Sequence, residues 1–442
     1  MTRTNISRSA LALLLLGSTA LTADDSARTD ASADEAEPLF ELPPLERPGE
    51  PYRTPRSGEG FRTTVFGEDV EVQPRNRRHV TAWDLGFMAT IPGADETEFL
   101  PYGSLYLWRH PDDDTLFRGV VAVLYNELFY AKSPPDSPLE AVFTFENYNV
   151  PMDQSELVDG KKLDEEEVTY GYVRPGIGGG WRTPTAPGEQ DNMAAFSLIF
   201  MPGFQYFREG HDAADDFITP QDGLDLRIHG HGRWDALSRN LLDLPHEGFV
   251  FGGDAYYGYR TNWEDWGRSG AYDAGTTRDY NMVTAYALHA GGVPFVESER
   301  HRFVGSVYGG IGNDVDRFSA QKVGGGPTGE EYNSIWRPVL PGAAIQEFFP
   351  EHYAMAIAEY RWELIFFSYL SLRSSVAWLD RDRRRSSGLK RQDDVLPSVG
   401  ARITTGFLLS TRLQIDYNYN FGVIRQGEYG GHEVVFHLSS DF

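Results

Sequence analysis

From Arg412 to Phe421 every second residue is apolar. Leu413, Ile415, Tyr417, Tyr419 and Phe421 form one set; Arg412, Gln414, Asp416, Asn418 and Asn420 form the other. A β-strand sends alternate side chains to opposite faces, so this stretch predicts a strand with one apolar and one wet face. Leu224 to Ala236 repeats the pattern: Leu224, Leu226, Ile228 and Trp234 face one way with two glycines between them. Asp225, Arg227, His229, His231, Arg233 and Asp235 face the other. Six ionisable groups on one face cannot sit in a dry core, but a water-filled lumen satisfies them. In the last ten residues Val434, Phe436, Leu438, Ser440 and Phe442 oppose Glu433, Val435, His437, Ser439 and Asp441. Apolar-out, polar-in alternation is the pattern of a membrane barrel strand.

The same reading predicts strands at Phe61–Phe66, Trp83–Ile91, Tyr102–His110, Phe117–Tyr130, Ala141–Tyr148, Tyr170–Trp181 and Phe196–Phe207. It continues at Phe249–Arg260, Met282–Ala290, Phe303–Gly312, Met355–Leu364, Tyr369–Trp378 and Val399–Phe407. With the three stretches above, the total is sixteen, and no helix of useful length interrupts them. Connections alternate in length. Leu364–Ser368 and Leu408–Thr411 are tight, whereas Gly422–His432, Asp380–Leu396 and especially Asn313–Glu351 are long. Short inner turns alternating with long outer loops predict an all-β, transmembrane antiparallel β-barrel of about sixteen strands, with the last strand ending on the periplasmic side.

The N-terminus reads differently. Arg3 and Arg8 precede the apolar run Ala10–Leu16, followed by small residues up to Ala23. This is the layout of a cleaved secretory signal, expected over residues 1–23. Residues 24–60 are acidic and Pro-rich and predict an extended periplasmic linker, leaving residues 61–442 for the barrel. A net charge of −25 disfavours nucleic acid as a partner. Cysteine is absent, which removes disulfides, Cys-ligated zinc, thiol catalysis and a lipoprotein anchor.

The stretch Lys322–Leu364 carries a more specific signal. It contains Gly324-Gly325-Gly326, then Leu340-Pro341-Gly342-Ala343, then Glu359-Tyr360-Arg361. This resembles the Omp85 (surface antigen D15) family, whose sixteen-stranded barrel has a long sixth outer loop with a Gly-rich run, an Arg-Gly-aromatic tip and a following strand with Glu-Tyr-Arg. Gly342 matches the family glycine, while Pro341 replaces its arginine and Ala343 its aromatic. The resemblance covers Lys322 to Phe442; residues 24–60 leave no room for the family's periplasmic POTRA domains. It implies that the loop between the eleventh and twelfth strands folds toward the lumen, its tip meeting strand carboxylates. Glu359, Arg361 and Glu363 share one strand face, so Arg337, the cation nearest the tip, is expected to point inward and pair with Glu359 or Glu363.

Other candidate chemistry is sparse. His229 and His231, two apart on one face, could reach a metal with Asp225 or Asp235, but a solvated lumen ladder is the better reading, and no metal site is expected. His437 and Ser439 form a His-x-Ser on one strand face, a pattern of lipid-cleaving barrels, yet that face is the lumenal one. No Gly-x-Ser-x-Gly occurs. The basic run Arg381–Lys390 is an expected outer loop within reach of lipopolysaccharide. The leading expectation is a non-enzymatic outer-membrane barrel of a Gram-negative cell, with a role in outer-membrane assembly or transport. The alternatives are a porin-like channel with a charged lumen and a lipid-modifying barrel enzyme; a plugged lumen favours the first reading and an open one the second. Expected partners are outer-membrane lipid, lipopolysaccharide and, through Val434, Phe436, Leu438 and Phe442, the barrel-assembly machinery. No cofactor and no small-molecule substrate is indicated.

Overall fold

The computed structural model describes residues 39–44, 52–65, 67–93, 98–149, 155, 157–158, 160–186, 189–268, 270–326, 337–385, 388–407 and 411–441. The expected signal at residues 1–23 and the terminal Phe442 lie outside these.

Sixteen antiparallel strands close into a barrel. The first eight are β1 (His79–Ile91), β2 (Glu98–Arg109), β3 (Thr115–Ala122), β4 (Tyr125–Lys132), β5 (Leu139–Asn149), β6 (Val168–Arg182), β7 (Ala194–Glu209) and β8 (Gly223–Arg239). The second eight are β9 (Pro245–Arg260), β10 (Asp279–Gly292), β11 (His301–Asn313), β12 (His352–Ile365), β13 (Ser368–Arg385), β14 (Gly388–Phe407), β15 (Thr411–Arg425) and β16 (Glu428–Asp441). Each strand pairs with its neighbours in sequence, and β16 closes on β1 from His432↔Ile91 to Asp441↔Ala82.

The period-two pattern sets the faces. On β8, Leu224, Ile228 and Trp234 lie on the outside, 40–49% exposed, while Asp225 is fully buried inside. On β16, Glu433, Val435 and His437 are buried in the lumen, and Val434, Phe436 and Leu438 face outward. At roughly 25 cal/mol per Å² of apolar surface, this outer belt would be costly in water and is instead a lipid-facing surface.

Two expected strands are corrected, and the corrections cancel in the count. Phe61–Phe66 is not in the barrel. Phe61–Val65 instead pairs with Glu68–Val72 in a separate hairpin. Five residues are too few to cross a bilayer, which takes about 9–11 in a tilted strand. Phe117–Tyr130 is two strands, β3 and β4, broken at Val123-Leu124; the Asn126 side chain accepts from the Ala122 N–H at 3.2 Å and ties the turn. The segments Trp83–Ile91 and Tyr102–His110 therefore run opposite to the direction expected of them. Two expected outer loops are strand extensions. β13 and β14 continue to Arg385 and Gly388, and β15 and β16 turn at Gln426 and Gly427, both at positive φ, as a type I′ hairpin requires. Within the run expected to be a basic loop, Arg381 pairs with Asp394 at 2.9 Å.

Candidate functional site

The described parts of the long connection between β11 and β12, residues 314–326 and 337–351, pack inside the barrel. Val323, Leu340, Ala343 and Phe348 are buried against the inward side chains Met282, Tyr353, Met355, Ala377, Leu379, Leu396 and Val423. The loop is folded on itself through its glycine run. The Gly325 N–H donates to the Ala344 carbonyl at 2.8 Å, and the Leu340 N–H to the Gly324 carbonyl at 2.7 Å. A Cβ on Gly325 would sit 2.0 Å from the Ala343 carbonyl oxygen, so this approach admits only glycine.

The loop tip is held by β15 and β16. Glu433, fully buried, accepts the Gly326 N–H at 2.7 Å on one oxygen. Its other oxygen accepts the Gly342 N–H at 2.8 Å and the Asn418 side-chain amide at 2.8 Å. Asn420 donates to the Pro341 carbonyl at 3.0 Å. Gly342 has φ +81°, and a Cβ there would lie 2.7 Å from the Asn420 backbone. Thus Pro341 and Gly342 meet strand groups through their backbone, where the resembling family implies an arginine side chain. Three further contacts carry the loop across the lumen. Glu347 takes both guanidinium nitrogens of Arg425 at 2.6 Å. Asp316 takes Arg260 at 2.7 and 3.0 Å. The Lys322 ammonium contacts the hydroxyls of Tyr148 and Tyr170 on β5 and β6. At the long-loop end, Phe318 packs with the buried Trp263 and Trp266, whose connection follows β9.

Beneath the tip, β12 to β15 present an inward wall of paired charges. Arg361 donates to Glu359 at 2.6 and 2.9 Å, and Ser371 donates to the same oxygen at 3.0 Å. Arg402 grips Asp416 with two nitrogens, and Arg373 reaches the same carboxylate at 3.2 Å. Arg337 does reach this lumenal space beside Glu359, but the expected ion pair does not form. Glu359 is already filled by Arg361 and Ser371. Glu363 is filled from elsewhere, by the hydroxyls of Tyr52 and Thr54, the latter at 2.6 Å.

The lumen ladder of β8 is paired within the barrel wall. Asp225 binds Arg174 and Arg227, each at 2.9 Å, and accepts the Tyr280 hydroxyl at 2.6 Å. Asp235 binds Arg239 at 2.8 Å, and Arg233 binds Asp191 at 2.7 Å. His229 and His231 both meet Asp254 of β9, at 2.8 and 2.9 Å, rather than Asp225 or Asp235. His437 faces the lumen, with its Nδ1 3.1 Å from the Tyr102 hydroxyl.

Residues 52–60, read from sequence as linker, are instead part of the short-turn end of the barrel. Besides the contacts to Glu363, the Leu241 N–H donates to the Pro55 carbonyl at 3.0 Å. Phe61 packs edge-on against Phe366 at 5.4 Å. Ser57, Arg75 and Arg77 converge on Asp243 in the turn between β8 and β9, the two arginines at 3.6 and 3.4 Å. Burial raises the Asp243 carboxyl, but Arg77, Arg75 and the Ser57 hydroxyl outweigh it and hold the group below the usual carboxylate range. A depressed native pKa adds stability above the unfolded value near 3.9, and this is lost as pH falls through the native value. Asp243→Asn is therefore expected to expose residues 52–78 to trypsin at neutral pH. The unmodified chain should release them only in acid below about pH 4. Equal cleavage of the two proteins at pH 7 would show that Asp243 does not hold this segment.

No family model matches the chain, and no curated protein matches it. Solved structures do. BamA from Haemophilus ducreyi lacking POTRA domains 1–3 aligns with a TM-score of 0.51 at 10% identity, over 86% of this chain and 73% of that one. CdiB from Acinetobacter baumannii aligns with a TM-score of 0.47 at 10% identity, over 88% of this chain and 64% of that one. The class the fold defines is a closed antiparallel membrane-type barrel of sixteen strands. At 10% identity, the likeness to BamA is a likeness of fold.

Glu433, Glu347, Arg425, Asp254 and Asp243 were not singled out from sequence. Only Glu433 carried a signal, as a carboxylate on the lumenal face of the last strand.

Proposed function

We propose that this chain is a non-enzymatic outer-membrane β-barrel protein of Omp85 type, exported and embedded in the bacterial outer membrane. Its role lies in outer-membrane assembly or transport rather than in passive diffusion. The observation that carries the reading is the loop between β11 and β12, buried across the lumen and fixed by Glu433, Glu347 and Asp316. A passive channel needs a continuous water path, which this loop obstructs. The paired charges of the wall then support a docked loop rather than an ion filter. The partners that fit are outer-membrane lipid and lipopolysaccharide on the outside and the barrel-assembly machinery during biogenesis. Val434, Phe436 and Leu438 on the outer face of β16, with Phe442 beyond it, are the proposed recognition signal.

Two measurements test this. Protein folded in detergent should migrate faster on a gel before boiling than after it. In a planar bilayer it should show only brief, infrequent openings. A large, steady conductance in the unmodified protein would replace this reading with the porin one.

A further inference from the structure

Below the loop tip, the lumen contains a cavity of about 80 Å³. Arg337 and Val339 of the loop border it on one side, Asp243 and Leu244 of the β8–β9 turn on another, and β12 to β15 form a wall. Six arginines line it: Arg239, Arg337, Arg361, Arg373, Arg402 and Arg412. Among the described residues, the only carboxylates that do so are Asp243 and Glu359.

Pairing outside the cavity does not close this imbalance. Arg239 has Asp235 at 2.8 Å, and Arg361 has Glu359 at 2.6 Å. Arg402 and Arg373 share the carboxylate of Asp416; Arg402 also has Glu359 at 3.9 Å, and Arg373 donates to the Asn418 side-chain oxygen at 3.0 Å. Asp243 is engaged by Arg75 and Arg77. Arg337 has no ion pair or hydrogen bond among the described residues. Arg373 has a side chain only 4% exposed, and its buried Nε has no hydrogen-bond partner. Arg337, exposed toward this space, therefore lacks a carboxylate among the described residues, and Arg373 has only a shared one in a buried setting that screens it poorly.

We propose that this cavity is a binding site for a small oxyanion of the phosphate or sulfate type. Guanidinium forks donate paired N–H groups that match such oxygens in geometry as well as charge. Chloride would offset the charge but offers no oxygens for the forks. The space holds several waters or one tetrahedral anion, not a larger solute. The shared chemistry also includes the phosphate of a lipid headgroup. The cavity lies on the lumenal side of the wall.

The test uses the full chain folded in zwitterionic detergent, titrated calorimetrically with inorganic phosphate in chloride buffer. Saturable binding at one site per chain is expected. Arg337→Ala should weaken it at least tenfold, and Arg337→Lys by less, since it keeps charge but not the fork. Arg337 holds no partner among the described residues, so the variant should keep the heat-modifiable gel shift of the parent; Arg373→Met gives a second variant aimed at the opposite wall. Repeating the titration in discs of phosphatidylglycerol and of phosphatidylcholine separates the sources. Equal phosphate affinity in both supports a free anion, and lower affinity in phosphatidylglycerol supports a headgroup at the same site. Absence of saturable binding by the parent, or equal affinity in the parent and Arg337→Ala, would overturn the proposal.

Discussion

Glu433→Ala is expected to turn brief openings into long-lived conductance and to make the segment around Gly326 and Gly342 accessible to protease. The carboxylate is fully buried and receives three donors at 2.7–2.8 Å, two of them backbone N–H groups of the loop. Hydrogen bonds to a charged group contribute about 1.5–3 kcal/mol each, partly offset by the cost of burying the charge. Losing both loop contacts should weaken docking by on the order of 3 kcal/mol. That corresponds to roughly a hundredfold rise in the undocked fraction. Glu433→Gln should fall nearly as far, because its amide nitrogen would face a backbone N–H that needs an acceptor. The strands themselves lose no ladder bond, so the gel shift on boiling should persist. Conductance identical to the parent would mean that Arg425–Glu347 and Arg260–Asp316 hold the loop without the tip.

The barrel was legible because its strands stand between lipid and water, which writes a period of two directly into the sequence. Arg412 to Phe421 and Leu224 to Ala236 are the clearest cases, and the structure keeps their faces. The signal failed where that boundary is missing. Val123-Leu124 is a turn of two apolar residues, without the Gly, Asn or Pro that usually marks one. Residues 381–385 and 388–392 lie at the hairpin end of β13 and β14, and the many charges there read as loop. Phe61–Val65 alternates as well as many barrel strands, and only its length against its partner Glu68–Val72 tells it apart.

The candidate site was less legible. The position of the β11–β12 loop came from the family resemblance and not from periodicity. The resemblance also pointed to the wrong cation: the expected role of Arg337 assumed that a side chain must reach the strand acids. Here backbone N–H groups of Gly326 and Gly342 do so, and glycine carries no chemical mark that sequence reading can follow. Tyr52 and Thr54 were hidden for the opposite reason. They sit in a Pro-rich acidic stretch whose composition predicts disorder, yet their hydroxyls fill the acid, Glu363, that Arg337 was expected to meet.

The inward wall of β12 to β15 leads to the second large effect, the loss of stability in Asp416→Ala. Asp416 is 1% exposed and is the shared counter-charge of Arg402 and Arg373, whose side chains are 5% and 4% exposed. It also accepts the Gln414 amide at 2.9 Å. Removing it leaves the buried Arg373 without a carboxylate and Arg402 with only Glu359 at 3.9 Å, and breaking a buried pair from one side costs about 3–5 kcal/mol. Both partners can be replaced together at much smaller cost, because apolar side chains of similar volume avoid the desolvation altogether. Asp416→Ala is therefore expected to lower the urea midpoint of the folded barrel sharply, and Asp416→Ala with Arg402→Met to recover most of the loss. Arg373 keeps the recovery incomplete, since it still lacks a carboxylate in the double variant. A cost of about 1 kcal/mol or less for the single change would place this wall with ordinary solvated ion pairs. The lumen beneath the loop would then be wet enough to screen its arginines.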